Sequence, residues 1–232
     1  MSIQKIKKLQ QYAFVYLIIG IIIFIYFTNL KLIWIDRKPS SFLKIFYLII
    51  FNFFAFMLFW SLLTTMFTDP GRVPLYWGYF LEDPEHKKRR YCLICHIFKP
   101  ERTHHCSACN RCVLNMDHHC SWLNTCIGFS NRKYFMLLLF YVNITTWISL
   151  FGMIGEIINI IIAFKDLLMG NSIKNENWFK DFIIVIAFAL DVTAIIVIGI
   201  FFKFHLELLF SNTTTIENLD KKRQNTYTNN NN

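Results

Sequence analysis

Apolar and polar positions separate along this chain into long blocks. Residues 12–30, 45–68, 134–155 and 182–202 are apolar runs interrupted by one charge only, Asp191. Each is close to the roughly 20 helical residues that cross a hydrocarbon core about 30 Å thick. The pattern therefore predicts four membrane-spanning helices, with the polar segment 69–133 between the second and third. The first run follows Lys5, Lys7 and Lys8, but it is long and no small-residue cleavage site follows it, so it is read as a retained anchor. Asp69-Pro70-Gly71 ends the second helix with ordinary helix-stop chemistry. The final "NTYTNNNN" is a polar low-complexity run, expected to stay disordered, and no internal repeat is read in the chain.

Charge sets the orientation. Residues 1–11, the ten Lys/Arg of 69–133, and Lys221, Lys222 and Arg223 carry most of the basic charge near the helix ends, so both termini and the middle segment are expected on the cytosolic side. Composition agrees: 55% hydrophobic residues and 25 Phe among 232 positions exclude an ordinary soluble domain. The net charge of +9 then reflects topology and attraction to anionic headgroups, and argues for no nucleic-acid role. An endomembrane (Golgi or ER) or plasma-membrane setting is expected. The expected division is 1–68 (tail and first two helices), 69–133 (cytosolic cysteine-rich domain), 134–210 (last two helices) and 211–232 (tail).

All seven cysteines fall within residues 92–126. In a reducing compartment that clustering points to metal or catalysis, and a segment poor in apolar residues needs a staple such as structural zinc. Cys92-x2-Cys95, Cys106-x2-Cys109 and Cys109-x2-Cys112 have the turn spacing that lets two thiolates reach one ion. With one histidine drawn from each adjacent pair, His104/His105 and His118/His119, two closed tetrahedral sites need six cysteines and leave one over. Cys120, beside His119 and two residues from His118, is the natural remainder, and an imidazole next to a thiol generates the nucleophilic thiolate. A zinc-binding module without chemistry fits the same spacings. A nucleic-acid finger does not, because only nine residues separate Cys95 from His105 and eight separate Cys109 from His118.

The run Cys92-x2-Cys95-x9-His105-Cys106-x2-Cys109-x2-Cys112-x4-Asp117-His118-His119-Cys120-x5-Cys126 resembles the cysteine-rich domain of the DHHC-type protein S-acyltransferases, the palmitoyltransferases. Lys99-Pro100, Arg102, Gly128, Asn131 and Phe135 agree in the flanks, Asp69-Pro70-Gly71 resembles the DPG motif, and Thr214-Thr215-Ile216-Glu217 the TTxE motif. Ser121 stands where the family commonly has proline, and Tyr227 with its Asn neighbours is the only counterpart of a further tail motif.

The resemblance implies an all-α polytopic membrane protein with a zinc-stapled cytosolic domain between helices 2 and 3. It implies one structural zinc on Cys92, Cys95, His105 and Cys112, and a second on Cys106, Cys109, His119 and Cys126. It implies Asp117, His118 and Cys120 as the catalytic group, with palmitoyl-CoA or another acyl-CoA as co-substrate and cytosolic or membrane-associated protein cysteines as acceptors. Trp122 could line the acyl entrance, and the "HKKRR" run at 86–90 could meet the CoA head. The alternative is a membrane-tethered zinc-binding adaptor, which would form no acyl-enzyme.

Three further readings concern single residues. Thr214 and Glu217 fit a capping box, and His205 is placed at the interface at the end of the fourth helix. Asp191 within a span marks a site or a partner, with Asn52, Asn143, Thr145 and Thr146 as candidate partners. A transporter would explain that carboxylate, but no basic partner at similar depth accompanies it.

Overall fold

The computed structural model describes residues 3–31, 42–79, 89–170 and 177–230. Four long helices appear where the apolar blocks lie: α1 (Ile3–Leu30), α2 (Phe42–Phe67), α3 (Arg132–Leu168) and α4 (Trp178–Phe210). A fifth, α5 (Thr215–Asn230), follows. The protein is a multi-pass membrane protein: all four long helices contain stretches apolar enough to span. Large side chains such as Phe42, Phe151 and Phe179 are exposed on them, as expected for lipid-facing surface. α3 and α4 run beyond the apolar blocks; α3 has 37 residues, about 56 Å at 1.5 Å per residue, nearly twice the hydrocarbon thickness. α5 carries the polar tail as helix up to Asn230, against the expectation of disorder. Thr226 and Thr228 hydroxyls there donate to the carbonyls of Lys222 and Gln224 one turn back.

The chain forms two compact units. One comprises residues 16–60 and 139–202. One buried cluster in it is Met153, Ile184 and Ala187, with Phe24, Ile157, Ile160 and Phe188 packed around them. A polar chain runs through the same helices. Tyr47 donates to the carbonyl of Ile148 at 2.9 Å, Asn29 Nδ2 donates to Ser149 Oγ at 2.6 Å, and Ser149 donates to Asp191 Oδ2. The partner of Asp191 is thus Ser149, none of the four residues expected. Asn143 and Thr146 donate to carbonyls of their own helix, and Asn52 is held by Tyr26 and donates to Leu48.

The other unit comprises residues 1–15, 61–138 and 203–232. Within it the cysteine-rich segment adds three antiparallel hairpins to the helices: β1 (Tyr91–Cys92) with β2 (Ile97–Phe98), β3 (His104–Cys106) with β4 (Arg111–Val113), and β5 (His118–Cys120) with β6 (Thr125–Ile127). They correct the repeat-free reading. The first cysteine of each turn recurs every 14 residues, at Cys92, Cys106 and Cys120, and the fifth residue has positive φ each time: His96 54°, Asn110 51° and Asn124 50°. Asn, short and able to bond locally, tolerates that region well. The second cysteine recurs at Cys95 and Cys109, but the third hairpin has buried Leu123 in its place.

Asp69-Pro70-Gly71 fastens the end of α2 to these hairpins. The Asp69 carboxylate accepts two bonds from Arg111, at 2.8 and 3.0 Å, and one from the Gly71 amide. The bidentate Arg111 contact holds the Asp69 carboxyl well below the usual carboxylate range. Gly71 sits at φ 119°, where a Cβ would press on Leu114 and Phe129 at 3.3 Å, and Gly128 passes so close to Pro70 that a Cβ would meet its carbonyl oxygen at 2.6 Å. Buried Asn131 then ties the last hairpin to α2, accepting from Gly128 N and donating to the carbonyls of Cys126 and Thr65.

Candidate active site

Hairpin pairing decides which cysteines and histidines meet. Side chains alternate across a strand, so neighbours in sequence point to opposite faces. His105 lies opposite Cys112 in the second hairpin, and His119 lies opposite Cys126 in the third. Each histidine therefore brings a cysteine from its own hairpin and meets the turn of the preceding one. Two four-donor sets result, Cys92, Cys95, His105, Cys112 and Cys106, Cys109, His119, Cys126, with donor atoms in each within 4.8 Å of one another.

These sets fit zinc. His105 Nδ1 lies 3.2 Å from Cys95 Sγ and 3.7 Å from Cys92 Sγ. His119 Nδ1 lies 3.4 to 3.6 Å from Cys106, Cys109 and Cys126, and Cys109 and Cys126 sulfurs are 3.3 Å apart. Tetrahedral bonds of about 2.3 Å to sulfur and 2.0 Å to nitrogen require edges of roughly 3.5 to 3.8 Å. The closest pairs fall slightly inside that range and the donor chemistry, three thiolates and one imidazole, is that of a closed structural site.

The same alternation turns His118 and Cys120 to the face opposite His119. His118 Nδ1 bonds Asp117 Oδ2 at 2.7 Å, and Cys120, two residues on in the same strand, also favours the charged ring. Burial disfavours the imidazolium, but Asp117 and Cys120 outweigh it and push the His118 pKa up to about 9. Asp117 is fully buried. Desolvation would raise its pKa, yet the bonds from His118 and from Thr215 hold it at about 2.

Comparison with known proteins identifies the architecture. The profile of the DHHC palmitoyltransferase domain matches residues 85–222. The chain belongs to the DHHC palmitoyltransferase family. It is 32% identical over 194 residues to "Probable protein S-acyltransferase 12" of Arabidopsis thaliana, covering 78% of this chain and 64% of the relative. It is 32% identical over 234 residues to "Probable protein S-acyltransferase 13" of the same plant, covering 88% of this chain and 73% of the relative. A "Palmitoyltransferase PFA3" of Yarrowia lipolytica is 36% identical over 137 residues, 56% of this chain and 33% of that protein. The chain thus spans less than two thirds of the length of some of these relatives, the first included.

In the segment Asp117-His118-His119-Cys120, His119 stands in a donor set, while His118 Nδ1 bonds the Asp117 carboxylate. Trp122 is half exposed and meets the edge of Phe14 at 5.1 Å. The "HKKRR" run lies partly outside the described residues. Its Arg89 stacks over Trp77 at 5.5 Å, and Arg90 donates to the carbonyl of Pro100. The expected capping box is formed: the Thr214 amide donates to Glu217 Oε2 at 2.8 Å and the Glu217 amide to Thr214 Oγ1 at 3.2 Å.

Three residues at the site escaped the sequence. Thr215, inside the TTxE motif, donates its amide and its hydroxyl to Asp117. Arg132 reaches to 3.7 Å from Asp117 Oδ1 while donating to the carbonyl of Thr213 at 2.8 Å. His205, at the end of the fourth helix, is 2% exposed and its Nδ1 faces Asp117 Oδ2 at 4.0 Å. A polar residue at a helix end carries no signal in sequence for a contact made nearly 90 positions away.

Proposed function

We propose that this chain is a protein S-acyltransferase that moves a long-chain acyl group, palmitoyl in the first instance, from acyl-CoA through a Cys120 thioester to protein cysteines on the cytosolic side. The observation that carries this reading is the leftover cysteine. Six cysteines sit in the two donor sets, and Cys120, in a third hairpin of the same build, instead faces the Asp117-bonded His118.

Chemically, the Cys120 sulfur attacks the thioester carbonyl of acyl-CoA, the bond to the CoA sulfur breaks, and the CoA thiolate leaves. His118, held as the imidazolium beside Asp117, carries the proton taken from Cys120 and gives it to the departing sulfur. Asp117 orients the ring and stabilises its cation. A substrate thiol then repeats the exchange, releasing Cys120. Cys92, Cys95, His105 and Cys112 would hold one zinc ion and Cys106, Cys109, His119 and Cys126 another, each metal contributing to the fold of the hairpins and not to the chemistry. A long acyl chain gains about 0.8 kcal/mol per CH₂ removed from water, which supports a place for it among the membrane helices, with Trp122 at the entrance. The division at 69–133 and 134–210, with both termini and the hairpins cytosolic, belongs to the same reading and draws on the distribution of basic residues.

Incubation of the purified protein with labelled palmitoyl-CoA tests it. A hydroxylamine-labile label on Cys120 is expected. A protein that binds zinc but takes no acyl label is the adaptor instead.

A further inference from the structure

Behind the Asp117–His118 pair stands a second imidazole. His205 of α4 is buried, with its Nδ1 4.0 Å from Asp117 Oδ2, the oxygen that also accepts from His118 Nδ1 and Thr215 Oγ1 at 2.7 Å each. Its ring lies 5.6 Å from the His118 ring at 38°. Phe135 meets both edge-on, His118 at 5.3 Å and 69°, His205 at 5.2 Å and 81°. The three rings are therefore in mutual contact, with Phe135 and His205 both against the His118 imidazole.

We propose that His205 is a positioning residue for acyl transfer: it fixes the plane of the His118 ring and presents an N–H dipole to the Asp117 carboxylate. The inference rests on the reading of Asp117, His118 and Cys120 as the acyl-transfer group. His118 can serve Cys120 only while its Nδ1 stays on Asp117 and its other nitrogen is aimed at the sulfur. Rotation about the Cβ–Cγ bond would break both alignments. Phe135 and His205 together block that rotation. Phenylalanine in place of His205 would supply the wall but leave the buried carboxylate facing carbon, where an N–H at 4.0 Å is in reach of its charge.

A metal reading of the same three residues is disfavoured. Asp117, His118 and His205 do offer donors within 4.8 Å of one another. However, both Asp117 oxygens already accept from Thr215, and the Arg132 guanidinium stands 3.7 Å from Oδ1, so a cation would meet occupied lone pairs and a like charge.

The test compares the full chain with His205→Leu and His205→Asn, measuring the rate of acyl-enzyme formation against palmitoyl-CoA concentration, with zinc content of each protein. Leucine fills space without a donor, and the asparagine Nδ2 falls near the place of Nδ1. The expected maximal rate drops about tenfold in the leucine variant and stays within about threefold of the parent in asparagine. Half-saturating palmitoyl-CoA and zinc content are unchanged in both. A leucine variant at the parental rate, an asparagine variant as slow as leucine, or a loss that appears only in half-saturation overturns the proposal. Should leucine prevent folding, His205→Gln, whose amide reaches the place of Nε2 instead, becomes the comparator: slower than asparagine supports the proposal, equal to it overturns it. A parent protein that forms no acyl-enzyme refutes the transferase reading itself, a distinct result.

Discussion

Thr215 holds the Asp117 carboxylate by both oxygens, its amide donating to Oδ1 at 3.0 Å and its hydroxyl to Oδ2 at 2.7 Å. Thr215 is the first residue of α5, so the carboxylate caps a helix N-terminus 98 positions along the chain and faces its positive end. The capping box one residue earlier fixes where that helix begins. Arg102 reinforces it, pairing with Glu217 at 2.9 Å and donating to the Asn212 carbonyl at 2.8 Å. The cysteine-rich segment and the tail after α4 therefore build one site together.

Thr215→Val keeps the shape and the amide bond but removes the hydroxyl. Acyl-enzyme formation should slow by about tenfold, equivalent to ~1.4 kcal/mol, with zinc content unchanged. Single-turnover kinetics with labelled palmitoyl-CoA measures it, and an unchanged rate would show that the amide alone suffices.

Cys120→Ser should abolish the thioester and keep both zinc ions, because it removes no ligand. Cys112→Ser should lose zinc and activity together, since metal binding is part of the folding free energy. His118→Ala and His119→Ala divide likewise, the first keeping metal while slowing acylation and the second disturbing metal. Metal analysis beside acyl labelling reads all four; a Cys120→Ser protein that loses a zinc contradicts the ligand assignment.

Leu123 stands where the first two hairpins place their second cysteine. Leu123→Cys recreates Cys-x2-Cys in the third hairpin, so its thiol competes with the acyl group for Cys120 by disulfide formation. Labelling should fall under oxidising conditions and recover with reductant. Labelling that ignores the redox state would mean that the third turn differs in shape from the other two.

Ser149→Ala removes the hydroxyl that joins Asn29 to Asp191 in the membrane helices. Two buried polar groups lose a partner, at a cost of about 1–3 kcal/mol. The detergent-solubilised protein should melt at lower temperature, while Asp191→Asn, which can still accept from Ser149, should melt closer to the parent. Equal melting of parent and Ser149→Ala would show the polar chain to be energetically idle.

His118 gives an alkaline signature. Its folded-state pKa of about 9 lies above the ordinary 6.5, so its stabilisation is complete below about 6.5 and is lost as pH rises through about 9. The melting temperature of the parent should therefore fall more between pH 7 and 10 than that of His118→Gln. Parallel curves for the two proteins would place the charge elsewhere.

The sequence by itself determined the four apolar helices, since length and hydropathy suffice where lipid is the solvent. It also offered a ligand count that leaves one cysteine over, because counting needs no coordinates. What it left hidden was non-local or geometric. The 14-residue repeat at Cys92, Cys106 and Cys120 is broken at two of its other positions: Cys95 and Cys109 give way to Leu123, and His96 to Asn110 and Asn124. Asp191 found Ser149 rather than the expected polar residues, because helix rotation, which a uniformly apolar run does not encode, chooses who faces whom. Tertiary structure alone decided that Thr215, Arg132 and His205 surround Asp117. Those contacts depend on where α4 ends and α5 begins, and a buried carboxylate draws its donors from whatever backbone and side chains the fold brings there.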